Sequence, residues 1–336
     1  MAEIKTRFLI LSDTHAIKSI SAPDVPVDVA IHCGDLTEES KLDEFRTTLS
    51  LLRTINAPLK LVIAGNHDFT LDTPTFETKA AYSREKLGIS PSLIAKEYGH
   101  PGSAQQLFTL AAQQQQDNIV FLDEGIHHFS LHNGAKLTVY ASPFTSSLEA
   151  DWGFQFKRGE SHSFAMDNTV DVAITHSPPK GILDNIRGSK HRGGCEHLFA
   201  AVAAARPRLH CFGHIHEGWG AKLVTWRGET ASENPSHFTD IDNGASVVVE
   251  SLATLRPGKW EAPEMIREKE ARVRGLMADG YRRTSHVGGS SDEHPIERGR
   301  QTLFVNAAIE PVDGEEETQL PWVVDLALPA DIVTGD

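Results

Sequence analysis

Nine residues of this chain have the types and spacing to hold and use divalent cations: Asp13, His15, Asp35, Asn66, His67, Asp68, His176, His214 and His216. Asp13 and His15 stand two apart after the apolar run 8–11, and alternate residues of an extended segment point to one side, so the pair can converge. Gly34-Asp35 follows the run 27–31, and Gly65-Asn66-His67-Asp68 follows 59–64. His176 comes just after 171–175, and Gly213-His214-Ile215-His216 follows 209–212. Singly each is ambiguous. Ser12-Asp13-Thr14 and Gly34-Asp35 are also turn sequences, and a lone histidine after a strand is usually structural. Together they carry weight, because polar groups packed at the ends of buried strands are unfavourable unless something binds them. Imidazole mixed with carboxylate suits Mn, Fe, Zn, Ni or Co better than Ca or Mg. The strand ends supply Asp13, His15, Asp35, Asn66, His67, His176, His214 and His216, and some seven ligands exceed the needs of one tetrahedral ion and suit two ions sharing a carboxylate. Two ions ~3.5–4 Å apart clamp the attacking and leaving oxygens of an in-line displacement. With Asp13 and Asp35 ionised and a hydroxide between the ions, the centre keeps roughly one positive charge, which attracts a phosphoryl anion.

The elements that must position these groups are legible in outline. Short apolar runs at 8–11, 27–31, 59–64, 171–175 and 209–212 read as buried strands of the parallel kind. Leu42, Phe45, Leu49, Leu52 and Ile55 mark an amphipathic helix within 38–55, giving a strand–helix–strand rhythm with parallel strands. In open α/β sheets the carboxyl ends of such strands are where ligands sit. Helices are expected at 75–87 and 103–116, with the glutamine run 113–116 as an exposed helix end, and a strand at 118–122. Segment 129–140 reads as a hairpin with Asn133-Gly134 as a two-residue turn. Trp152, Phe154 and Phe156 alternate within 141–168, as in a half-buried strand or flap. Gly193-Gly194-Cys195-Glu196 opens a helix, and capping is favoured there over anion binding. Residues 260–283 read as a charged helix, 285–300 as a loop, and 302–309 and 322–328 as strands closing the sheet. His32, His127, His128, His132, His162 and His210 have no partner at ligand spacing and are read as surface or core residues.

Composition bounds the alternatives. The 336 residues are 40% hydrophobic and 23% charged, a globular profile with no run near the ~20 apolar residues of a membrane helix. A single domain over 1–336 is expected, with a charged insertion at about 257–300. Three scattered cysteines, Cys33, Cys195 and Cys211, argue against a disulfide framework and for a cytoplasmic setting. The net charge of −14 argues against non-specific nucleic-acid binding, which needs Lys and Arg against phosphate.

Asp13-x-His15, Gly34-Asp35, Gly65-Asn66-His67-Asp68, Thr175-His176 and Gly213-His214-Ile215-His216 resemble, in order, the five motifs of the calcineurin-like metallophosphoesterase superfamily. Stretches 175–179, 194–196 and 206–219, with Phe304-Val305-Asn306-Ala307, resemble its metallophosphoesterase-domain-containing branch. The resemblance implies an α/β fold of two packed mixed β-sheets flanked by helices, an αββα sandwich. It implies that Asp13, His15 and His216 hold one metal, that Asn66, His176 and His214 hold a second, and that Asp35 bridges them. The implied reaction is phosphodiester hydrolysis by a metal-bridging hydroxide, with manganese the favoured ion. His67 would face the substrate and protonate the leaving oxygen or stabilise developing charge, and Asp68 would orient His67. The substrate would be a small-molecule phosphoester. Rival readings are a phosphomonoesterase or biosynthetic-pathway hydrolase on the same metals, and a metal-stabilised interaction protein with vestigial activity. The presence of His216 favours an active hydrolase.

Overall fold

A computed structural model describes residues 2–20, 25–114, 117–288, 292, 294–311 and 319–331. In chain order the strands are β1 (Glu3–Leu11), β2 (Val29–His32), β3 (Leu59–Val62), β4 (Ile119–Phe121), β5 (Gly125–Ser130), β6 (Lys136–Ser142), β7 (Thr145–Ser147) and β8 (Gln155–Lys157). They continue with β9 (Val172–Thr175), β10 (Leu209–Phe212), β11 (Gly220–Trp226), β12 (Ile241–Ser251), β13 (Arg282–His286), β14 (Gln301–Asn306) and β15 (Trp322–Pro329). The helices are α1 (Leu42–Thr54), α2 (Thr73–Lys86), α3 (Pro91–Tyr98), α4 (Ser103–Gln113), α5 (Glu196–Ala205), α6 (Leu252–Leu255) and α7 (Pro263–Asp279).

Two mixed sheets form the frame, in the orders β13-β15-β1-β2-β3-β4 and β12-β11-β14-β10-β9-β6-β5. Strands β1 to β4 are mutually parallel in the first sheet, as are β6, β9, β10 and β14 in the second. Both faces of each sheet are covered, so the central strands β2, β9 and β10 are buried at every position and their residues alternate between two cores. Phe8 and Ile10 of β1 pack between the sheets with Val139, Ile174, Leu209 and Leu303. Leu9 and Leu11 face outward, against Phe45 and Leu49 of α1 and Phe108 of α4. On the other outer face Phe212, Val224 and Phe304 pack on Leu198, Phe199 and Val202 of α5. This is the two-sheet sandwich flanked by helices.

Several expectations change in detail. The 129–140 hairpin starts at Gly125, and its turn is a three-residue loop between Leu131 and Ala135, not a two-residue one. Gly134 takes the left-handed position (φ 83) that such a loop needs, and its N–H donates to the Leu131 carbonyl. Helix α3 lies where Pro91 suggested a break; Ser90 caps it and Pro91 occupies the first turn, where a missing N–H is harmless. Helix α4 ends at Gln113, and Gln115 and Gln116 of the glutamine run lie outside the described residues. The closing strands go to different sheets: β14 lies between β10 and β11, and β15 between β1 and β13. The 257–300 insertion supplies helix α7 and strand β13, which extends the first sheet in parallel with β15, so Ser285 and His286 belong to a strand, not a loop. Residues 289–291 and 293 of the expected loop lie outside the described residues. Among the described residues no helix is long and apolar enough to cross a membrane.

Candidate metal centre

The parallel strands β1, β2 and β3 of one sheet and β9 and β10 of the other all deliver their following loops to one place. Loop 13–16 is laced to loop 34–36 by backbone bonds from Asp13 N–H to the Gly34 carbonyl (2.9 Å) and from His15 N–H to the Asp35 carbonyl (3.2 Å). Gly213 N–H donates to the His176 carbonyl at 3.1 Å. The backbone is strained where the chemistry sits. Asp13 (φ 54), His15 (φ 42), Asp35 (φ 51) and His214 (φ 68) all adopt the left-handed region that side chains disfavour, a cost sustained only where surrounding contacts enforce it. Two glycines let the loops approach. A Cβ at Gly65 would overlap the Asp35 carboxylate and backbone N and come within 2.8 Å of the His176 ring. A Cβ at Gly213 would overlap the Asp13 carboxylate and the Ser12 hydroxyl.

Three groups of ligand atoms result, each with all its atoms within 4.8 Å of one another: two clusters, Asp13, His15 and His216, and Asp35, His176 and His214, and beside them His15, Glu38 and His67, which shares His15 with the first. In the second, His176 Nε2 lies 3.1 Å from Asp35 Oδ2 and 3.1 Å from Asn66 Oδ1. His176 Nδ1 lies 2.9 Å from the Cys33 carbonyl oxygen, which can only accept, so Nδ1 carries the proton. With a neutral ring, Nε2 therefore presents a lone pair toward two oxygen acceptors. Three electron-pair donors aimed at one point fit a cation. In the first cluster His216 Nε2 lies 3.4 Å from Asp13 Oδ1, and His214 N–H donates to both Asp13 oxygens, at 3.0 and 3.1 Å. His15 Nε2 is 4.0 Å from Asp35 Oδ2. Both His15 ring nitrogens are buried, and each lies 2.9 Å from a carboxylate oxygen, Nδ1 from Glu38 and Nε2 from Glu310. A buried ring faced by carboxylates at both nitrogens sits where positive charge, a proton or a cation, is favoured.

Electrostatics express the same convergence. Burial works against charge on His176, yet Asp35, by charge and hydrogen bond, pushes it up to about 9. Burial likewise opposes charge on His15, and Glu310, Asp35 and Asp13 raise it to about 10. Burial would raise Asp13, but His216 and His176 hold it down at about 2, and Asp35 is lowered against burial mainly by His176. His214, dominated by burial, falls to about 4 and stays neutral. A proton on His15 or His176 answers the field that a metal ion would answer in its place.

His67 lies beside the clusters. Its ring contacts that of His15 edge-on with centroids 4.7 Å apart, and its Nδ1 lies 2.7 Å from the Glu38 carbonyl oxygen. That acceptor fixes the proton on Nδ1 of the neutral ring and leaves Nε2 to exchange one. Among the described residues Asp68 makes no hydrogen bond to the His67 ring, whose partner is the Glu38 carbonyl. Its buried carboxylate accepts from Leu36 N–H (3.0 Å), Thr37 N–H (3.0 Å), the Thr37 hydroxyl (2.7 Å) and Gly65 N–H (2.8 Å). Burial, with Asp35 nearby, pushes it up to about 6 against those donors. Asp68 thus ties the loop after β2 to the loop after β3, and the orienting role passes to the Glu38 backbone.

Two carboxylates escaped sequence reasoning. Glu38 Oε2 is 2.9 Å from His15 Nδ1, and Glu310 Oε2 is 2.9 Å from His15 Nε2 and 3.7 Å from His216 Nδ1. Neither has a ligand-type neighbour two positions away, so no spacing pattern marks it. Among the other histidines, buried His32 and His210 are both lowered to about 3 by burial and serve the core. Cys195 caps α5, its Sγ accepting from Leu198 N–H, in line with the capping expectation.

Comparison with known proteins agrees with this geometry. Residues 6–218 match the family described as calcineurin-like phosphoesterase. The chain is 33% identical over 239 residues to Metallophosphoesterase domain-containing protein 1 of Homo sapiens, covering 70% of this chain and 67% of that protein. The Mus musculus protein of the same name gives the same figures. A UPF0046 protein of Caenorhabditis elegans is 26% identical over 220 residues, covering 64% of this chain and 52% of its own length. The nine residues singled out above all fall within the matched segment. Calcineurin-like phosphoesterases use a dinuclear divalent metal centre, and the two clusters are its candidate ligand groups here. On the match of residues 6–218 and the 33% identity to these relatives, this chain belongs to the calcineurin-like phosphoesterase family, the metal-dependent phosphoesterases.

Proposed function

We propose that the protein is a phosphodiesterase, with Asp13, His15 and His216 holding one divalent ion, Asn66, His176 and His214 a second, and Asp35 shared between them. The observation that carries this is the pair of ligand clusters, each within 4.8 Å, built by loops from two different sheets. When bound, the two ions polarise the phosphoryl oxygens and make a strong nucleophile of water at neutral pH. The chain's own residues do the rest. The Cys33 carbonyl keeps the proton of His176 on Nδ1, so that Nε2 stays a donor. The backbone of His214 holds the Asp13 carboxylate in place. His67, its Nδ1–H held by the Glu38 carbonyl, takes up a proton on Nε2 and would pass it to the leaving oxygen as the P–O bond breaks, returning to the neutral ring. The products are a phosphomonoester and an alcohol. Manganese is our first choice of ion, since a mixed N/O set accommodates it. Residues 1–336 are read as one domain, the insertion being woven into the first sheet through β13. Three buried free cysteines and a net charge of −14 support a cytoplasmic protein acting on small molecules and not on nucleic acid at large.

The test is hydrolysis of bis-p-nitrophenyl phosphate against p-nitrophenyl phosphate with added manganese. Turnover of the diester alone is expected. Turnover of the monoester alone would make the protein a phosphomonoesterase, and turnover of neither would favour an interaction protein.

A further inference from the structure

Beside His67, away from the metal ligands, the molecule carries a wall of stacked rings that leads into a large apolar cavity. The His67 ring lies on that of Trp152, with centroids 4.5 Å apart and planes tilted by 32°. Trp152 in turn meets Phe69 edge-on at 6.2 Å. Lys79 of α2 sets its Nζ 5.1 Å from the Phe69 ring centre and 5.0 Å from that of Trp152. Segment 152–154 is fixed there by bonds from Gly153 N–H to the Asn66 carbonyl (3.0 Å) and from Phe154 N–H to the Asp72 carboxylate (2.7 Å). Beyond Phe69 and Lys79 opens a cavity of about 940 Å³ between α2 and α3, lined by Phe76, Ala80, Leu93 and Tyr98 among others.

We propose that this cavity binds an apolar leaving group of the substrate, an alkyl or aryl ester whose chain passes from His67 across Trp152 and past Phe69. The proposal rests on the phosphodiesterase reading and adds a substrate class to it. Continuity with the centre is the first argument: His15, His67, Trp152 and Phe69 form an unbroken series of ring contacts from a metal ligand to the cavity mouth. Charge is the second. Lys79 stands at the junction, where the anionic phosphoryl group and the apolar tail would meet, with its ammonium set over the Phe69 and Trp152 rings. Size is the third: a cavity of this volume takes a group far larger than a methyl ester, and its lining is mainly apolar by area, with Lys41, Lys79, Glu97 and Asp151 among its polar groups. Leu93 is 49% exposed and Tyr82 58% exposed on the same rim, apolar surface that an apolar tail would cover.

The experiment uses the full chain loaded with manganese and the series methyl-, butyl- and octylphosphonate. Each is measured by calorimetry and as an inhibitor of bis-p-nitrophenyl phosphate hydrolysis. Octylphosphonate is expected to bind at least about tenfold more tightly than methylphosphonate, the scale of a few buried methylenes. Ala80→Trp, which fills the cavity, should abolish that preference while leaving methylphosphonate affinity and metal content unchanged. Leu93→Glu, at a half-exposed position that tolerates charge, should do the same if the tryptophan variant fails to fold. Equal affinity for the three phosphonates would overturn the proposal. So would a concentration-dependent dimer that Leu93→Glu dissociates without changing phosphonate preference, because the cavity would then belong to a second copy. If the diester is not hydrolysed but octylphosphonate still binds selectively, the phosphodiesterase reading fails and the cavity assignment stands.

Discussion

In the proposed reaction a single histidine, His67, separates binding from turnover. Among the described residues the His67 side chain makes one hydrogen bond, through Nδ1 with the Glu38 carbonyl, while its backbone N–H donates to Asp35 Oδ1 at 2.8 Å and its ring packs on His15 and Trp152. His67→Ala should therefore retain both metals while lowering kcat by roughly 10²–10⁴-fold, the range for lost general-acid assistance. Metal analysis and steady-state kinetics on one preparation check this, and loss of metal would make His67 a ligand. Gly213 gives the opposite split. In Gly213→Ala the added methyl would overlap the Asp13 carboxylate, so metal content should fall even though no ligand is removed. A variant with full metal occupancy would show that the loop moves freely. At this scale the sequence was most informative where ligand-type residues recur two apart, as in Asp13/His15 and His214/His216. Asp68 was read as the partner of His67 because the two are neighbours in sequence, whereas two of its hydrogen-bond partners, Leu36 and Thr37, are distant in the chain. Glu310 reaches His15 from a segment roughly 300 residues along, a contact only the assembled sheets create.

At the scale of elements, strand ends are held by buried polar pairs. The Thr175 hydroxyl donates to the Ser177 carbonyl at 2.7 Å, so it can only accept from His210 Nε2, 2.8 Å away. This leaves His210 Nδ1 a buried lone pair without a partner and fixes the ring as neutral, with its pKa lowered to about 3 by burial. The unfolded chain takes up this proton near the ordinary 6.5 and the folded chain does not. Stability supplied by the neutral ring is thus complete above about 6.5 and is lost as pH falls toward 3. Between pH 7 and pH 5 the difference amounts to about 2 kcal/mol for one such group. Urea unfolding in chelator at the two pH values should show a smaller difference in His210→Leu than in the parent by about that amount, and identical pH dependence would contradict the assignment. The elements that were readable, β1 to β3, β9, β10 and α5, are short and apolar with clear ends. Those that were not are the strands β11 and β12, whose pairing carries register shifts near Lys222 and Thr225, and α3, whose start at Pro91 imitates a break.

Across the whole molecule, neither sheet can build the centre alone. The first sheet supplies Asp13, His15, Asp35 and Asn66, and the second supplies His176, His214 and His216. Packing of Phe8 and Ile10 against Ile174, Cys211 and Val305 sets the distance between the two groups of ligands. The paired layers were legible from strand–helix alternation and the resemblance of five motifs. The weave of β13 and β15 into the first sheet was not, since parallel pairing across 40 residues has no local signature. The central claim is that side chains from both sheets meet around two metal ions. Elemental analysis of purified protein reconstituted with manganese, with anomalous scattering to place the ions, tests it most directly. The account predicts two ions per chain, one bounded by Asp13, His15 and His216 and one by Asn66, His176 and His214, and about one per chain in His216→Ala. Two ions retained in that variant, or fewer than one in the parent chain, would contradict it.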